Sequence, residues 1–320
     1  MDIQQLRHFL ATVRYGNLGV AARTQHITVS GLSRSIKALE DSVGLPLFTR
    51  SAHGVEPTSH AHSLVPWAKS IVNQRDRALE EFRNLRQARS GVLRFGLTIN
   101  FARDLAPRVV GALLSRSPGL EVHVITGSQM ELTERLRAAE LDFVFGTFRQ
   151  RPDDADLFYD PMQLSRSGVF CRAEHPYTRL ATVDVAKLAR ADWALVDSDS
   201  SRQAFREYFA SRSLSVPRLV LSSNSLECLV ESVRRLDLLT NLPERLLALE
   251  IGAGTLVQLG CEPPMGHATL AFVQRAGNVV TPALRLALEL IRSFGDELYL
   301  SQPDDPRARA RPSTARAPSP

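Results

Sequence analysis

Residues 24–44 carry hydrogen-bond donors on one side of a helical pattern and apolar side chains on the other. The polar side has the chemistry to contact nucleic acid, because small hydroxyls allow close approach, a helix N-terminus favours phosphate, and arginine reaches a guanine edge or the backbone. We therefore predict that this helix lies in a groove of DNA, as in a helix-turn-helix. Its candidate contacts are Thr28, Val29, Ser30, Ser33, Arg34 and Lys37.

Three short helices are predicted before residue 45. Apolar residues recur at spacings of three and four over residues 6–13, and again over residues 32–43, which is the period of an amphipathic helix. Between these segments, Ala21 and Ala22 are small enough to let another helix approach closely. The residues expected to cap or end the helices are Gly16, Asn17, Thr28 and Gly44.

Two short extended pieces follow the third helix, on either side of a turn at residues 51–54. This arrangement is typical of a wing, and it makes Arg50 and His53 further candidates for DNA contact. The helix pattern alone fits a second interpretation equally well, namely an ordinary three-helix core whose polar face is solvated.

The composition limits the function classes. A chain of 320 residues with 44% hydrophobic residues can fill the cores of two or three domains, which argues against a mainly disordered chain. The net charge of +5 and the isoelectric point near 9.4 suit a nucleic-acid binder, although many other soluble proteins are as basic.

The cysteines and the N-terminus bear on the compartment. Cys171, Cys228 and Cys261 are widely spaced without a Cys-x-x-Cys pair, so we predict buried thiols in a reducing compartment. The first residues lack a signal peptide, and no run approaches the roughly 18 apolar residues of a membrane span. We expect a cytoplasmic protein with no membrane partner.

Residue types used in catalysis and metal binding are present without the required spacing. No Gly-x-Ser-x-Gly elbow surrounds either serine of the only triad-like set, and the glycines at 252 and 254 lack the third glycine of a dinucleotide fingerprint. His60 and His62 lack an accompanying ligand cluster and are expected at the surface. We therefore predict no enzyme, no metal and no cofactor. The triad-like set is His175, Asp197, Asp199, Ser200 and Ser201.

From residue 91 onward, short apolar runs alternate with helical stretches, which predicts an α/β sheet. Ligands of such sheets collect beyond the carboxyl ends of the strands. Arg149 or Arg202 could pair with a carboxylate and Phe148 could stack on a ligand, so a small organic acid fits, as does a sugar or an amide. Taken singly, each candidate also fits a helix cap or a solvated loop. The predicted effector contacts are Thr98, Asn100, Ser128, Gln129, Thr147, Phe148, Arg149, Ser198, Ser200, Ser201 and Asn224.

The segment between these parts, residues 59–89, has the heptad spacing of a coiled coil. About 30 residues at roughly 1.5 Å each would form a rod of about 45 Å. Arg75 interrupts the seam and Pro66 lies within it, so a helix packed on its own domain is the alternative. The seam consists of Leu64, Ala68, Ile71, Arg75, Ala78, Phe82 and Leu85, widened by Val65, Val72 and Leu79.

The run AARTQHITVSGLSRSIKALEDSVGLPLFTR resembles the N-terminal signature of LysR-type transcriptional regulators. The resemblance implies a winged helix-turn-helix at residues 1–58, a linker and dimerisation helix at 59–89, and a two-lobe α/β effector-binding domain at 91–300. This last domain is similar to periplasmic solute-binding proteins, with lobe one at residues 91–160 plus 268–300. The implied partners are double-stranded operator DNA, a small-molecule effector, further copies of the chain as a dimer or tetramer, and RNA polymerase.

The sequence departs from this family pattern in three places. Val29 and Ser30 replace the usual glutamine and frequent proline. Pro57 replaces a leucine before Thr58, and residues 59–62 replace the usual Ala-Gly after it. Residues 236–238 replace a glycine-containing stretch. A secreted solute-binding protein would not explain residues 1–60, whereas a cytoplasmic solute-binding protein with weak non-specific DNA association is the alternative function. Residues 301–320 are rich in proline, alanine, serine and arginine, which predicts a disordered tail.

Overall fold

The computed structural model describes residues 1–51, 54–86, 91–148, 150–262, 265 and 267–300. The three predicted helices and the wing are confirmed: β1 and β2 pair antiparallel, with Ser51 opposite Gly54. The elements of this N-terminal head are α1 (Ile3–Tyr15), α2 (Leu18–Thr24), α3 (Val29–Val43), β1 (Phe48–Ser51) and β2 (Gly54–Pro57).

The head helices begin and end where their caps require. The side chains of Asn17 and Thr28 accept hydrogen bonds from the backbone N–H three residues later, while Gly16 and Gly44 end α1 and α3 in the left-handed conformation. The apolar faces of the three helices then meet in one core. Its most deeply buried apolar members on these three helices are Leu6, Phe9, Ala21, Ala22, Leu32 and Leu39.

The wing is held against the helices by close backbone contact. Gly54 has a φ of +137°, and a β carbon at this position would lie 2.4 Å from the carbonyl oxygen of Gly16. The next residue, Val55, donates its N–H to that same carbonyl at 3.0 Å. A glycine is therefore required here. The predicted contact His53 lies outside the described residues, as does the side chain of Arg50.

Helix α4 (Ser59–Arg86) continues through Pro66 and serves two surroundings. Its first half packs on the head core through Ala61, Ala68 and Val72, as the alternative interpretation proposed. Farther along, Leu79 and Phe82 remain 43% and 67% exposed. The predicted seam is therefore divided: the early positions are covered by the chain's own head, and the later described positions are free to meet another surface.

The body contains two five-stranded sheets, which confirms the predicted two-lobe α/β fold. Lobe one has the strand order β4-β3-β5-β14-β6; β3 runs parallel to β4 and β5, and β14 runs antiparallel to β5 and β6. Lobe two has the order β10-β9-β11-β7-β12, again with three parallel strands, while β7 runs antiparallel.

The chain enters lobe two after β6 and returns to lobe one at β14. The lobe-one elements are β3 (Val92–Leu97), α5 (Leu105–Arg116), β4 (Glu121–Thr126), α6 (Gln129–Arg137), β5 (Phe143–Thr147), β6 (Leu157–Arg166), β14 (His267–Arg275) and α11 (Pro282–Leu300). The lobe-two elements are β7 (Gly168–Arg172), β8 (Val183–Asp184), α7 (Val185–Leu188), β9 (Asp192–Val196), α8 (Asp199–Ala210), β10 (Leu219–Ser223), α9 (Leu226–Arg235), β11 (Leu238–Leu242), α10 (Ala248–Gly252), β12 (Leu256–Leu259) and β13 (Cys261–Glu262).

Each lobe has its own aromatic core. In lobe one, Phe143 stacks between Phe95 and Phe272, with ring centroids 4.9 and 4.5 Å apart. In lobe two, Trp193 is fully buried and meets Phe205 and other rings edge to face. Separate cores allow the lobes to move relative to each other without disturbing the packing inside either one.

The prediction of three buried thiols was wrong for Cys228, which is exposed, and only partly right for Cys261, which is half-buried. Cys228 is exposed because it lies in the first turn of α9, on the side of the helix that faces away from the core. No helix in the described part of the chain is long and apolar enough to cross a membrane. The predicted tail at 301–320 lies outside the described residues.

Candidate functional site

The polar face of α3 is open along its N-terminal half. Val29, Ser30 and Arg34 are exposed and Ser33 is half-buried, so the predicted contacts lie on one accessible side of the helix. Thr28 uses its hydroxyl to cap the helix, accepting from Gly31 N at 3.1 Å. The helix start thus presents free N–H groups and small side chains together, an arrangement that accepts a phosphate.

The two cations of this face, Lys37 and Arg34, differ in whether they have a partner. Lys37 pairs with Asp41 at 3.1 Å, and both side chains are exposed, so this pair is weak. Arg34 makes no ion pair or hydrogen bond within the described part of the chain. Behind the face, His8 Nδ1 lies 2.7 Å from Ser35 Oγ and ties α1 to α3. Arg34 is therefore the unpaired cation on the open face of α3, whose opposite side contacts α1.

A cavity of about 960 Å³ separates the two lobes. All six parallel strands, three in each lobe, point their carboxyl ends at it, where ligands of such sheets collect. The residues at or just after these ends that line the cavity are Thr98, Thr126, Thr147, Val196, Asn224 and Leu242. The cavity is therefore built by the two sheets together.

Every predicted effector contact except Arg149, which lies outside the described residues, lines this cavity. Ser128 and Ser198 do so while also capping α6 and α8. Phe148 is only 4% exposed, so little of its ring is available for stacking on a ligand. The alternative prediction, that Arg202 pairs with a ligand carboxylate, was wrong. Arg202 does not line the cavity, and its guanidinium contacts Asp197 at 2.5 Å.

Sequence reasoning missed one whole wall. Asn241, Leu242 and Pro243 follow or end β11, which the sequence analysis did not recognise as a strand. The run LLTNLP carried the signal, a short apolar run closed by proline. The residues at the two crossings between lobes, Ser167 and Met265, also line the cavity.

Arg151 is a further cavity residue that the sequence did not single out. Its exposed guanidinium has no ion pair or hydrogen bond among the described residues. The loop is held by Asp154, which accepts from Arg151 N at 2.9 Å and from Tyr159 Oη at 2.6 Å. Burial opposes the charge of Asp154, yet the hydrogen bonds from Tyr159 and Arg151 N lower its pKa below the ordinary value. Arg151 is thus a free cation on an anchored loop.

Acidic residues of the lining are largely neutralised by their own neighbours. Glu131 contacts Arg135 at 3.3 Å, and Asp197 contacts Arg202. Hydroxyls and amides make up most of the remaining polar surface, together with the free starts of α6 and α8. Such a lining can bind a carboxylate at the cation and hydroxyl or amide groups elsewhere. Among the described residues, no cluster of His, Cys, Asp and Glu could hold a metal ion.

Reciprocal ion pairs join the lobes beside the cavity. Arg103 of lobe one contacts Glu250 of lobe two at 2.9 Å, and Asp104 contacts Arg245 at 3.1 Å. Arg245 also lies 4.7 Å from the centre of the Phe101 ring. These contacts bridge the two lobes in the conformation described.

Helix α4 is docked onto lobe one at the end remote from the cavity. Asn73 donates to the carbonyl of Ala138 at 2.6 Å, just after α6, and Arg77 contacts Asp142 at 2.7 Å, just before β5. Arg94 of β3 forms two hydrogen bonds with Glu80, at 2.9 and 3.1 Å. The same α6 and β5 reach the cavity at their other ends, so they connect α4 to the cavity walls.

His175 of the triad-like set is a structural residue. It does not line the cavity, so it lies apart from Ser200 and Asp199, and its Nδ1 accepts from Tyr177 N at 3.1 Å. The imidazole is 5% exposed. Burial lowers the pKa of His175 below the ordinary value of 6.5, against a raising effect of Asp237.

We expect lobe two to lose stability as the pH falls below about 6.5. The unfolded chain takes up the proton at a higher pH than the folded chain, so the free energy of unfolding falls through this window and is unaffected above it. Trp193 fluorescence in a Trp67→Phe background, followed during urea unfolding at pH 8 and pH 5.5, measures this. His175→Asn, which keeps an acceptor without the proton, should show a flatter pH dependence; an equal slope would contradict the assignment.

Two family models match the chain: "LysR substrate binding domain" over residues 86–296 and "Bacterial regulatory helix-turn-helix protein, lysR family" over residues 3–62. The "SDS degradation transcriptional activation protein" of a Pseudomonas species is 29% identical, over 98% of this chain and 99% of its own length. Full-length OxyR from Pseudomonas aeruginosa superposes with a TM-score of 0.63 at 23% identity, covering 92% of this chain and 95% of OxyR.

A second solved structure, full-length CbnR complexed with its target DNA, has a TM-score of 0.65 at 17% identity and covers 92% of this chain and 99% of CbnR. At these identities the two superpositions show a shared fold. The family-model matches together span both the head and the two lobes described above.

Proposed function

Because the chain belongs to the LysR family of transcriptional regulators, we propose that α3 binds operator DNA and that a small molecule in the interlobe cavity changes this binding. The proposed domains are the winged helix-turn-helix at residues 1–58, the linker and dimerisation helix at 59–89, the effector-binding domain at 91–300 and a tail at 301–320. No catalytic step is assigned to the protein, in keeping with relatives that are transcriptional regulators.

One observation carries the proposal: the carboxyl ends of all six parallel strands converge on a single cavity between the lobes. A molecule bound there touches both lobes at once, so it binds one lobe spacing better than another. Differential affinity of this kind is the condition for a ligand to shift a conformational equilibrium.

The DNA contacts are assigned to the open face of α3 and to the wing. Recognition helices of this type place their N-terminal residues on base edges in the major groove. The proposed contacts are Thr28, Val29, Ser30, Ser33, Arg34, Lys37, Arg50 and His53.

Pairing of two chains is assigned to α4. Phe82, Leu79 and Trp67 are exposed on this helix, at 67%, 43% and 69%. Burying these apolar side chains against a second chain would remove them from water, which is favourable. A twofold dimer would place two copies of α3 on neighbouring half-sites of operator DNA. Further association into a tetramer and contact with RNA polymerase belong to the same proposal.

The docking of α4 on lobe one supports the coupling of cavity to head. Movement of β5 or α6 at the cavity displaces Asp142 or Ala138 at the opposite end, and these contact Arg77 and Asn73 of α4. A change in lobe spacing can therefore change the direction of α4 and the distance between the two heads. We place this activity in the cytoplasm, where operator DNA lies.

A small organic acid is the proposed effector class, because Arg151 supplies an unpaired cation in a lining of hydroxyls and amides. We expect Arg151→Ala to weaken binding of such an acid by about 10- to 100-fold, the effect of losing a hydrogen-bonded charge pair. A thermal-shift screen of the full chain with carboxylic acids, sugars and amides identifies the ligand, and calorimetry then gives both affinities.

The matched control is Arg190→Ala, which removes an exposed arginine of lobe two that does not line the cavity. It should bind the acid as the unaltered chain does. If a sugar or an amide stabilised the protein and its binding did not depend on Arg151, an organic acid would be rejected as the effector class. The cavity would still stand as the proposed binding site. Failure of any ligand to alter operator binding would reject the proposed regulation.

A further inference from the structure

Val29 is the one exposed large apolar residue of α3, all of whose side chains are described. It is the first residue of the helix and is 47% exposed, on the face that otherwise carries hydroxyls and cations. The inference drawn from it rests on the proposed binding of DNA by this face.

The hydroxyls on either side of Val29 are engaged with each other and with the helix start. Thr28 Oγ1 accepts from Gly31 N at 3.1 Å and lies 3.2 Å from Ser30 Oγ. These contacts fix the first turn of α3 and leave the valine protruding beside it. Because a β-branched side chain in a helix has one strongly preferred rotamer, Val29 presents its methyl groups in a defined direction.

A valine has no donor or acceptor, so it can distinguish bases only by apolar contact. In the major groove, thymine is the base whose edge carries an apolar group, the C5-methyl. We infer that Val29 contacts the C5-methyl group of a thymine in each operator half-site and makes that position specific for thymine. The neighbouring Ser33 and Arg34 supply polar contacts on the next turn of the same face.

Replacement of thymine by uracil tests this directly, because it removes the methyl group and leaves base pairing unchanged. Operator DNA is first located by footprinting with the full chain, and each thymine of a half-site is then replaced singly by uracil. We expect one position per half-site at which the replacement weakens binding about fourfold, the effect of one buried methyl group.

The contribution of the Val29 side chain to this contact is tested with Val29→Ala. This variant should bind the unaltered operator about as weakly as the native chain binds the uracil operator, and it should be insensitive to uracil at that one position. The matched control is Leu45→Ala, which removes another exposed apolar side chain, 46% exposed, just beyond α3. Its uracil profile should equal that of the native chain.

The outcomes distinguish failure of the inference about Val29 from failure of the proposed operator binding. Equal uracil profiles for the native chain and Val29→Ala, or a native profile without any sensitive thymine, would overturn the role of Val29 while specific operator binding stands. Absence of any specific operator site for the native chain would overturn both.

Discussion

Arg34→Ala is expected to lower operator affinity by about 10- to 100-fold without altering the fold or the oligomeric state, the loss typical of one good arginine–base contact. The Arg34 side chain is exposed and makes no hydrogen bond or ion pair with another described residue, so its removal leaves no partner unsatisfied. Fluorescence anisotropy with labelled operator at fixed salt gives the affinity, and light scattering after size-exclusion chromatography gives the oligomeric state.

Arg116→Ala is the control for charge alone, since Arg116 is an exposed arginine at the end of α5, outside the head. It should leave operator affinity within about twofold because net charge acts weakly through salt-screened solvent. If Arg34→Ala instead dissociated the dimer or unfolded the head, Arg34 would be a structural residue. The salt dependence of operator affinity shows whether Arg34 contacts a phosphate or a base edge. Loss of a phosphate contact reduces the slope of log affinity against log salt concentration by about one.

Asp142→Ala is expected to destabilise the docking of α4 on lobe one by about 3 kcal/mol, the lower end of the range for removing one partner of a buried pair. Asp142 accepts from Arg77 and also from Arg94 N, each at 2.7 Å, and the Arg77 and Asp142 side chains are 20% and 18% exposed. Burial lowers the pKa of Arg77, and the Asp142 carboxylate opposes this effect. Hydrogen exchange of α4 and urea unfolding measure the loss.

Two comparison variants sharpen this prediction. Asp192→Ala removes an exposed partner, 3.6 Å from Arg218, and should cost less than about 1 kcal/mol. Arg77→Met removes the buried charge itself and should cost less than Asp142→Ala, which removes the carboxylate that Arg77 contacts directly. Equal losses for Asp142→Ala and Asp192→Ala would show that the contact contributes no more than a surface pair.

The head could be predicted from sequence because its determinants are local. The spacing of Leu32, Ile36 and Leu39 fixes which side of α3 is buried, and a cap at Thr28 and a stop at Gly44 fix its length. Several strands of the body were predictable for the same reason, although β11 was not recognised. The rule that ligands collect at carboxyl ends then found the cavity residues of five strands without knowledge of which strands face each other.

The parts that sequence missed depend on contacts between distant segments. Arg202 had the right residue type, yet it pairs with Asp197, and Arg151 is left free by the anchoring of its loop. Whether the seam of α4 faces another chain or its own head depends on how α1 packs, which the heptad spacing does not contain. β11 was not recognised, so the wall formed by Asn241 was missed.

The most direct test of the proposed regulator is a genome-wide pull-down of DNA bound to the full chain, followed by footprinting of the strongest site with and without the metabolites that stabilise the protein. We predict a few sites with interrupted inverted-repeat symmetry, footprints that change when the metabolite is present, and affinity that falls as salt rises. Diffuse association with DNA, without a preferred site and without response to any metabolite, would contradict the assignment of operator binding to α3 and of its control to the interlobe cavity.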